Sequence, residues 1–268
     1  MNCTICNGYL FKVGVVNKHK LFKCNDCGLG VTKGDNLQKG DYHRDNTYIA
    51  EEGLFRNIFK KRVDIILRFK KIGRILEIGC STGLMLSILK KKGLQVKGIE
   101  ISSDSATVAK SRGIDVLTIP FEEVVFKESY DVIILNHTLE HLEDPKKVVK
   151  KISKILNKGG ILYIDLPNFG SLSAKLLGRR WQALLPDEHL WHFTEKSLSL
   201  LLKKFDFNII YVEKASGIWD LSDPSGELFD SFISFKKRFF VEIVTAIPSL
   251  MLTKLNLGSD LMVVAIKK

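Results

Sequence analysis

A chain of 268 residues with 45% apolar side chains can form one elaborated domain or two small ones and can fill a sizeable core, which excludes intrinsic disorder as its overall state. Its 41 Lys and Arg against 30 Asp and Glu leave a formal charge of +11, which favours anionic partners without choosing between nucleotides, nucleic acid and a membrane surface. Five cysteines are too few for a disulfide scaffold, and four of them crowd into the first 27 residues.

Met1-Asn2-Cys3-Thr4 leads into a polar segment with no apolar stretch of signal-peptide type, so a cytoplasmic location is expected. Cys3-Thr-Ile-Cys6 and Cys24-Asn-Asp-Cys27 are separated by 17 residues. That spacing suits a four-cysteine zinc site closed tetrahedrally by Cys3, Cys6, Cys24 and Cys27. With short strands at 9–16 and 20–22, and Gly8 and Gly28 just after the pairs, residues 1–33 read as a zinc ribbon whose zinc is structural. The alternative is free thiols or a redox dithiol, but neither pair sits at a strand-to-helix junction.

Residues 34–72 read as a polar linker followed by a helical lid, with an amphipathic helix over 57–71. Beyond it, β-branched runs at 74–79, 95–101, 115–119, 130–136 and 160–166 alternate with helical stretches. This is the pattern of an α/β domain with a parallel sheet and right-handed crossovers, with ligands at the carboxyl ends of the strands.

The first of these strands runs through Glu77-Ile-Gly79-Cys80-Ser81-Thr82-Gly83 into a helix over 84–92. Glycines at such a turn let a ligand approach the backbone, and the helix start offers free N–H groups to an anion. Glu100 follows Gly79 by 21 residues, a distance at which a strand-end carboxylate can hold ribose hydroxyls. Together they point to a nucleoside ligand; the alternative for the glycines is tight helix packing.

The ordered series Glu77-x-Gly79-x-x-x-Gly83, Gly98-Ile-Glu100, Tyr130-Asp131 through Asn136-His137-Thr-Leu-Glu140-His141 to Asp144-Pro145, and Leu156-Asn-Lys-Gly159-Gly160 resembles class I S-adenosylmethionine-dependent methyltransferases. Within that class it is similar to the small-molecule group related to ubiquinone-biosynthesis methyltransferases, over residues 72–268. Ser81 stands where many members have glycine. The resemblance implies a Rossmann-like seven-stranded sheet over residues 73–268, behind the small N-terminal zinc ribbon, with insertions on the acceptor side at 168–194 and 222–257. It further implies S-adenosyl-L-methionine as cofactor: Gly79, Cys80 and Gly83 at the methionine moiety, Glu77 orienting its amino group, Glu100 and Ile101 at the ribose, Phe121 and Glu122 bordering the adenine, and Asn136 beside the sulfonium. Cys80 lines the pocket in this reading rather than acting as a nucleophile.

Methyl transfer needs an acceptor atom held in line with the methyl group, and a hydroxyl or acidic carbon also needs a base. Of the histidines at 19, 43, 137, 141, 189 and 192, His19 falls in the ribbon. His137 and His141 follow the fourth strand on the crevice side, and with His189 they are the candidate catalytic residues, each with capping or packing as its alternative role.

Two insertions complete the chain. Residues 168–194 carry Arg179, Arg180, Trp181, His189, Trp191 and His192, and resemble the acceptor-side insertions of methyltransferases from bacterial sugar and secondary-metabolite pathways. The tryptophans could stack on a flat substrate and the arginines could clamp a phosphate or carboxylate, or the segment could be a satellite apolar cluster. Thr194, with Glu195 and Ser197, caps a helix. Residues 222–257 hold Phe229, Phe232, Phe235, Phe239 and Phe240 beside Lys236-Lys237-Arg238. These read first as helix core with a basic edge, and alternatively as an amphipathic surface for peripheral contact with lipid-linked acceptors or a dimer partner. The apolar run 241–252 contains Glu242 and Pro248 and is too short to span a membrane. Residues 260–268 read as a strand, which the resemblance implies to pair antiparallel at the sheet edge.

The leading expectation is therefore a methyltransferase acting on a small-molecule, phosphate-bearing acceptor such as a nucleotide sugar, lipid-linked saccharide or related metabolite. RNA methylation is the enzymatic alternative, but the basic residues are scattered and no aromatic-basic strand pattern for stacking bases is present, so nucleic acid is not the expected partner. A non-catalytic S-adenosylmethionine sensor with a protein-binding ribbon is the other. No oligomeric state is read from the sequence.

Overall fold

The computed structural model describes residues 1–34, 50–234 and 238–268; most of the expected linker, His43, Phe235, Lys236, Lys237 and the side chain of Arg238 lie outside the described residues. The N-terminal segment forms an antiparallel hairpin of β1 (Leu10–Val16) and β2 (His19–Cys24), followed by β3 (Gly30–Lys33). The two-residue loop Asn17-Lys18 has φ of 47° and 69°, the doubly left-handed turn that matches the twist of paired strands.

Helix α1 (Glu52–Phe69) begins five residues earlier than the periodicity suggested and buries Phe59, Val63, Ile65 and Ile66. These pack with Ile75, Met85 and Leu89 of the α/β domain. Strand β4 (Arg74–Ile78), helix α2 (Leu84–Lys91), β5 (Gln95–Ile99), α3 (Ser103–Ser111) and β6 (Asp115–Leu117) wind outward to one edge of the sheet. The chain then returns to the other side of β4 as β7 (Tyr130–Asn136), followed by α4 (Pro145–Ile155) and β8 (Leu156–Pro167). Asp144 caps α4 through the Lys146 and Lys147 N–H groups, with Pro145 in the first turn, as expected of that residue pair.

The large sheet has seven strands in the order β10-β11-β8-β7-β4-β5-β6. Because successive crossovers leave β4 in opposite directions, a crevice opens at the carboxyl ends of β4, β5 and β7. The final strand, β11 (Asp260–Lys267), is antiparallel as expected but not at the edge: it lies between β8 and β10 (Phe207–Glu213). Strand β10 escaped the sequence reading because its pattern, FNIIYVE, is that of a half-exposed edge directly after helix α6 (Glu195–Lys203).

The ribbon and the α/β domain share one core. The two-residue strand β9 (Trp191–His192) joins β3, giving the N-terminal sheet the order β1-β2-β3-β9. Ile5, Leu10, Leu29 and Val31 pack in the same cluster as Phe193, Leu198 and Leu202. Thr194 caps α6 in a capping box with Ser197, and its hydroxyl also donates to the Cys27 carbonyl at 2.7 Å.

Short helix α5 (Leu172–Leu177) precedes the arginines, and α7 (Pro224–Ile233) and α8 (Arg238–Lys254) form the second insertion. The phenylalanine stripe read as helix core is on the outside: Phe229, Phe232 and Phe240 are exposed, as are Val244 and Ile247 on α8. The inner side of α8 is tied to the domain by Trp219, whose indole N–H donates to the Ala246 carbonyl at 2.7 Å. Among the described residues no helix is long and apolar enough to cross a membrane.

Candidate active site

The turn after β4 is fixed by backbone bonds. The N–H groups of Gly79 and Cys80 both donate to the Ile99 carbonyl, at 2.8 and 3.0 Å. Gly79 has φ +72°, and a Cβ there would lie 2.6 Å from Thr138 Oγ1, so only glycine fits. Ser81 makes its part of the turn with φ 46° despite its side chain, and donates its N–H to Glu100 Oε2 at 2.8 Å. Glu100 Oε1 accepts from Ser102 N–H at 2.9 Å. The carboxylate is thus held at the end of β5 by the two backbone N–H groups that flank it.

The remaining cofactor-side candidates occupy different environments. Glu77 is buried and its Oε2 has no hydrogen-bond partner; burial, and next the charge of Glu100, push its carboxyl well above the usual range. Asn136, at the end of β7, has a buried, unpartnered Oδ1. These two orphaned acceptors are what a donor-bearing ligand in the crevice would complete, so the residues present fit S-adenosylmethionine with its amino and ribose hydroxyl groups. Gly83 faces α3: a Cβ would lie 2.8 Å from Ala109 Cβ, the helix-packing role named as the alternative. The Cys80 thiol packs against Gly98, and burial raises its pKa, which suits a wall residue and not a nucleophile. Phe121 lies in the core against Phe126 with Lys151 over its ring, while Glu122 and Ile101 are exposed at the rim.

On the acceptor side, His137, Glu140, His141 and His189 come together. His137 has φ 48°, strain that its N–H bond to the Asp165 carbonyl at 2.8 Å helps to hold. The turn over Leu139–His141 carries the other two β7-side residues. Glu140 is 1% exposed and neither of its oxygens accepts a hydrogen bond; His137 Nδ1 stands 3.5 Å from Oε1 and His141 Nε2 4.0 Å. Burial alone would raise the Glu140 carboxyl, but His137, His141 and His189 outweigh it and hold its pKa down to about 2. Burial would lower His137, and Glu140 and Asp165 reverse that to about 9, while buried His189 falls to about 4. His141 Nδ1 lies 3.1 Å from the Glu188 carbonyl and His189 Nδ1 3.0 Å from the Ala183 carbonyl. The rings of His141 and His189 meet edge to face at 4.6 Å. The strand segment bearing His189 is tethered to this turn by Leu190 N–H to the Glu140 carbonyl (2.9 Å), and to the ribbon by Thr32 N–H to the Leu190 carbonyl (2.9 Å).

In the ribbon, the Sγ atoms of Cys3, Cys6, Cys24 and Cys27 lie within 4.8 Å of one another, with Cys3–Cys27 at 3.7 Å and Cys6–Cys24 at 3.4 Å. A zinc ion with four sulfurs at about 2.3 Å has tetrahedral edges of about 3.8 Å, close to the two cysteine pairs at 3.7 and 3.4 Å, so this donor set fits zinc.

The 168–194 segment is largely structural. Trp181, read as a stacking surface or as part of a satellite apolar cluster, takes the second role: it is 5% exposed and packs with Phe169, Leu21 and Leu184. Trp191 donates its indole N–H to the Leu142 carbonyl at 2.9 Å. The Arg179 side chain lies over Gly14 of β1, and Arg180 is exposed. His192 is buried against Thr32 Oγ1 at 2.7 Å, and His19 pairs with Asp187 at 2.9 Å.

Two groups escaped the sequence reading. Glu140 stood in the quoted motif without a role. Arg62, on the apolar-looking α1, is fully buried: Nε donates to Asp165 Oδ2 at 2.9 Å, and the terminal nitrogens donate to Asp220 Oδ2 at 2.5 Å and the Asp220 carbonyl at 2.8 Å. A cationic residue among the buried positions of an amphipathic helix, facing Asp165 on an otherwise apolar strand, was the available signal.

Residues 50–212, more than half of the chain, match a family described as "Methyltransferase domain". An uncharacterized protein of Methanocaldococcus jannaschii is 30% identical over 155 residues, covering 57% of this chain and 73% of that one. A ubiquinone biosynthesis O-methyltransferase of Hydrogenovibrio crunogenus is 29% identical over 136 residues, 46% of this chain and 56% of the relative, so the match spans about half of that enzyme. Among solved structures, a SAM-dependent methyltransferase of Thermotoga maritima, described as a possible histamine N-methyltransferase, superposes with TM-score 0.58 at 21% identity, over 83% of this chain and 95% of that one.

Proposed function

From the premise that the chain belongs to the methyltransferase domain family and is an S-adenosylmethionine-dependent enzyme, we propose that it methylates a small-molecule acceptor such as a nucleotide sugar, lipid-linked saccharide or related metabolite. The observation that carries this reading is the buried cluster of His137, Glu140, His141 and His189 beside Asn136, at the carboxyl end of β7. The cofactor supplies an electrophilic methyl group on a sulfonium. Glu100 and Ile101 hold the ribose, Glu77 orients the amino group, the Gly79–Gly83 turn lies along the methionine moiety, Phe121 and Glu122 border the adenine, and Asn136 faces the sulfonium. The histidine cluster binds the acceptor and takes charge of the proton that it loses as its new bond to carbon forms.

The four cysteines hold a structural zinc ion, which closes a ribbon with no position left for substrate. The exposed apolar side of α7 and α8 favours a lipid-linked acceptor among the candidates. Methyl-labelled cofactor supplied separately to nucleotide-sugar, lipid and RNA fractions tests the proposal. Label in a small-molecule or lipid fraction is expected; label in RNA alone would overturn it.

A further inference from the structure

We propose that Glu140, His141 and His189 form a second metal site, for a divalent transition-metal ion of the zinc type, on the acceptor side of the crevice. One ligand atom from each of the three lies within 4.8 Å of the others, so side-chain shifts of about an ångström would bring them around one ion. The two imidazoles are already set as ligands. A backbone carbonyl can only accept, so His141 Nδ1, at 3.1 Å from the Glu188 carbonyl, and His189 Nδ1, at 3.0 Å from the Ala183 carbonyl, must carry the protons. Each ring in its neutral form therefore keeps its lone pair on Nε2, and in His141 that nitrogen is the one nearest Glu140, at 4.0 Å from Oε1. A ring nitrogen donating to a backbone carbonyl while the other coordinates is the usual support for a metal-binding histidine.

Glu140 supplies the second, independent observation. It is 1% exposed and neither oxygen accepts a hydrogen bond, with only His137 facing it as an ion pair at 3.5 Å, so a coordinated ion would supply the direct contact that this buried carboxylate lacks. The site is also rigidly built. The turn bearing Glu140 and His141 is joined to the His189 segment by Leu190 N–H to the Glu140 carbonyl, and that segment is joined to the ribbon through Thr32.

One carboxylate and two imidazoles suit zinc and neighbouring first-row ions, whereas calcium and magnesium prefer all-oxygen shells. Three protein ligands leave a position for another group, as catalytic sites do and closed structural sites do not. The inference rests on the methyl-transfer reading for its purpose, though not for its existence, and it narrows the acceptor to one presenting a hydroxyl oxygen. An ion held there would make that hydroxyl more acidic, so that its proton would pass to water and not to the coordinated His141 or His189. Its O–C bond then forms as the cofactor's C–S bond breaks, and S-adenosylhomocysteine leaves.

Elemental analysis of the full chain after equilibration with Zn2+ tests the site. About two ions per chain are expected in the wild type and about one in a His141→Asn, His189→Asn double variant that still binds S-adenosylmethionine. A count of one in both overturns the proposal. Should the variant fail to fold, Co2+ titration of the wild-type chain decides. The four-cysteine site gives thiolate-to-cobalt charge-transfer absorption, and a further equivalent bound without it is expected. Saturation with that band alone, or displacement of the further equivalent by excess Mg2+, refutes a nitrogen-rich site. A count of one with S-adenosylmethionine binding and substrate labelling intact removes only this inference. A count of two with no labelled small-molecule or lipid fraction removes the proposed function and leaves the metal site standing.

Discussion

The proposed cofactor wall of the crevice draws Glu77, Glu100 and Asn136 from adjacent parallel strands in register, whereas the proposed acceptor wall brings together the turn after β7, residues 183–192 and the N-terminal ribbon. On the first wall, each functional group is placed by the ladder that places its neighbour, and the turn after β4 is closed by bonds to the Ile99 and Glu100 positions next door. On the second, His189 reaches Glu140 only because Leu190 bonds to that turn and to Thr32. The cofactor wall should thus be self-sufficient, and the acceptor wall should depend on distant supports.

The contrast breaks most visibly at the ribbon. Structural zinc sites contribute on the order of 10 kcal/mol to folding, so Cys24→Ser is expected to unfold the ribbon and abolish methyl transfer while S-adenosylmethionine binding, followed by calorimetry, is retained. Joint loss of cofactor binding would show that the walls are one unit. Next in size is Arg62→Met, which strands Asp165 and Asp220 without their cation. A loss of about 3–5 kcal/mol is expected, seen as a fall in Tm of roughly 6–20 °C, and a shift of less than a few degrees would deny the network its role in fixing α1.

Glu100→Ala removes a charged acceptor and frees the turn N–H groups of Ser81 and Ser102. Weaker S-adenosylmethionine binding by roughly tenfold to a hundredfold is expected, with the ribbon's metal content unchanged; undiminished affinity rules out the ribose assignment. The smallest effect is expected from Thr194→Ala, which deletes a helix cap and the bond to the Cys27 carbonyl. About 1 kcal/mol of stability should go, read from denaturant midpoints. It should come with faster proteolysis of the ribbon than of the α/β domain, and even cleavage of both would argue against a seam at that residue.

Local pattern carried most of the fold and brought the candidate cofactor residues to one crevice. The β-branched strands, the glycine turn and the acidic strand end are all short-range signals, and the five strands read from them form the parallel part of a sheet that has the seven strands the family resemblance implied. What escaped was non-local. Strand β10 is an edge with a mixed pattern, and its pairing pushes β11 inward. Trp181 could be left only as a stacking surface or a satellite-cluster residue, because aromatic side chains in a polar insertion read alike whether they meet a ligand or, as here, another part of the chain. The exposed phenylalanines of α7 erred in the opposite direction, since a helical stripe does not reveal whether anything lies over it. Arg62 and Glu140 were passed over because the partners that bury them lie 103 positions away in one case and across a loop in the other.

The pairing of β3 with β9 also bears on how the chain is made. The ribbon leaves the ribosome before the α/β domain, but the residue that covers Thr32 is His192, 160 positions later. At synthesis rates of about 5–20 residues per second, the edge of β3 stays open for roughly 8–32 s. During that interval it presents unpaired backbone groups, a template for pairing with the wrong strand. An early-folding ribbon must therefore wait for its last strand, and the nascent chain is most exposed to misassembly before residue 192 emerges.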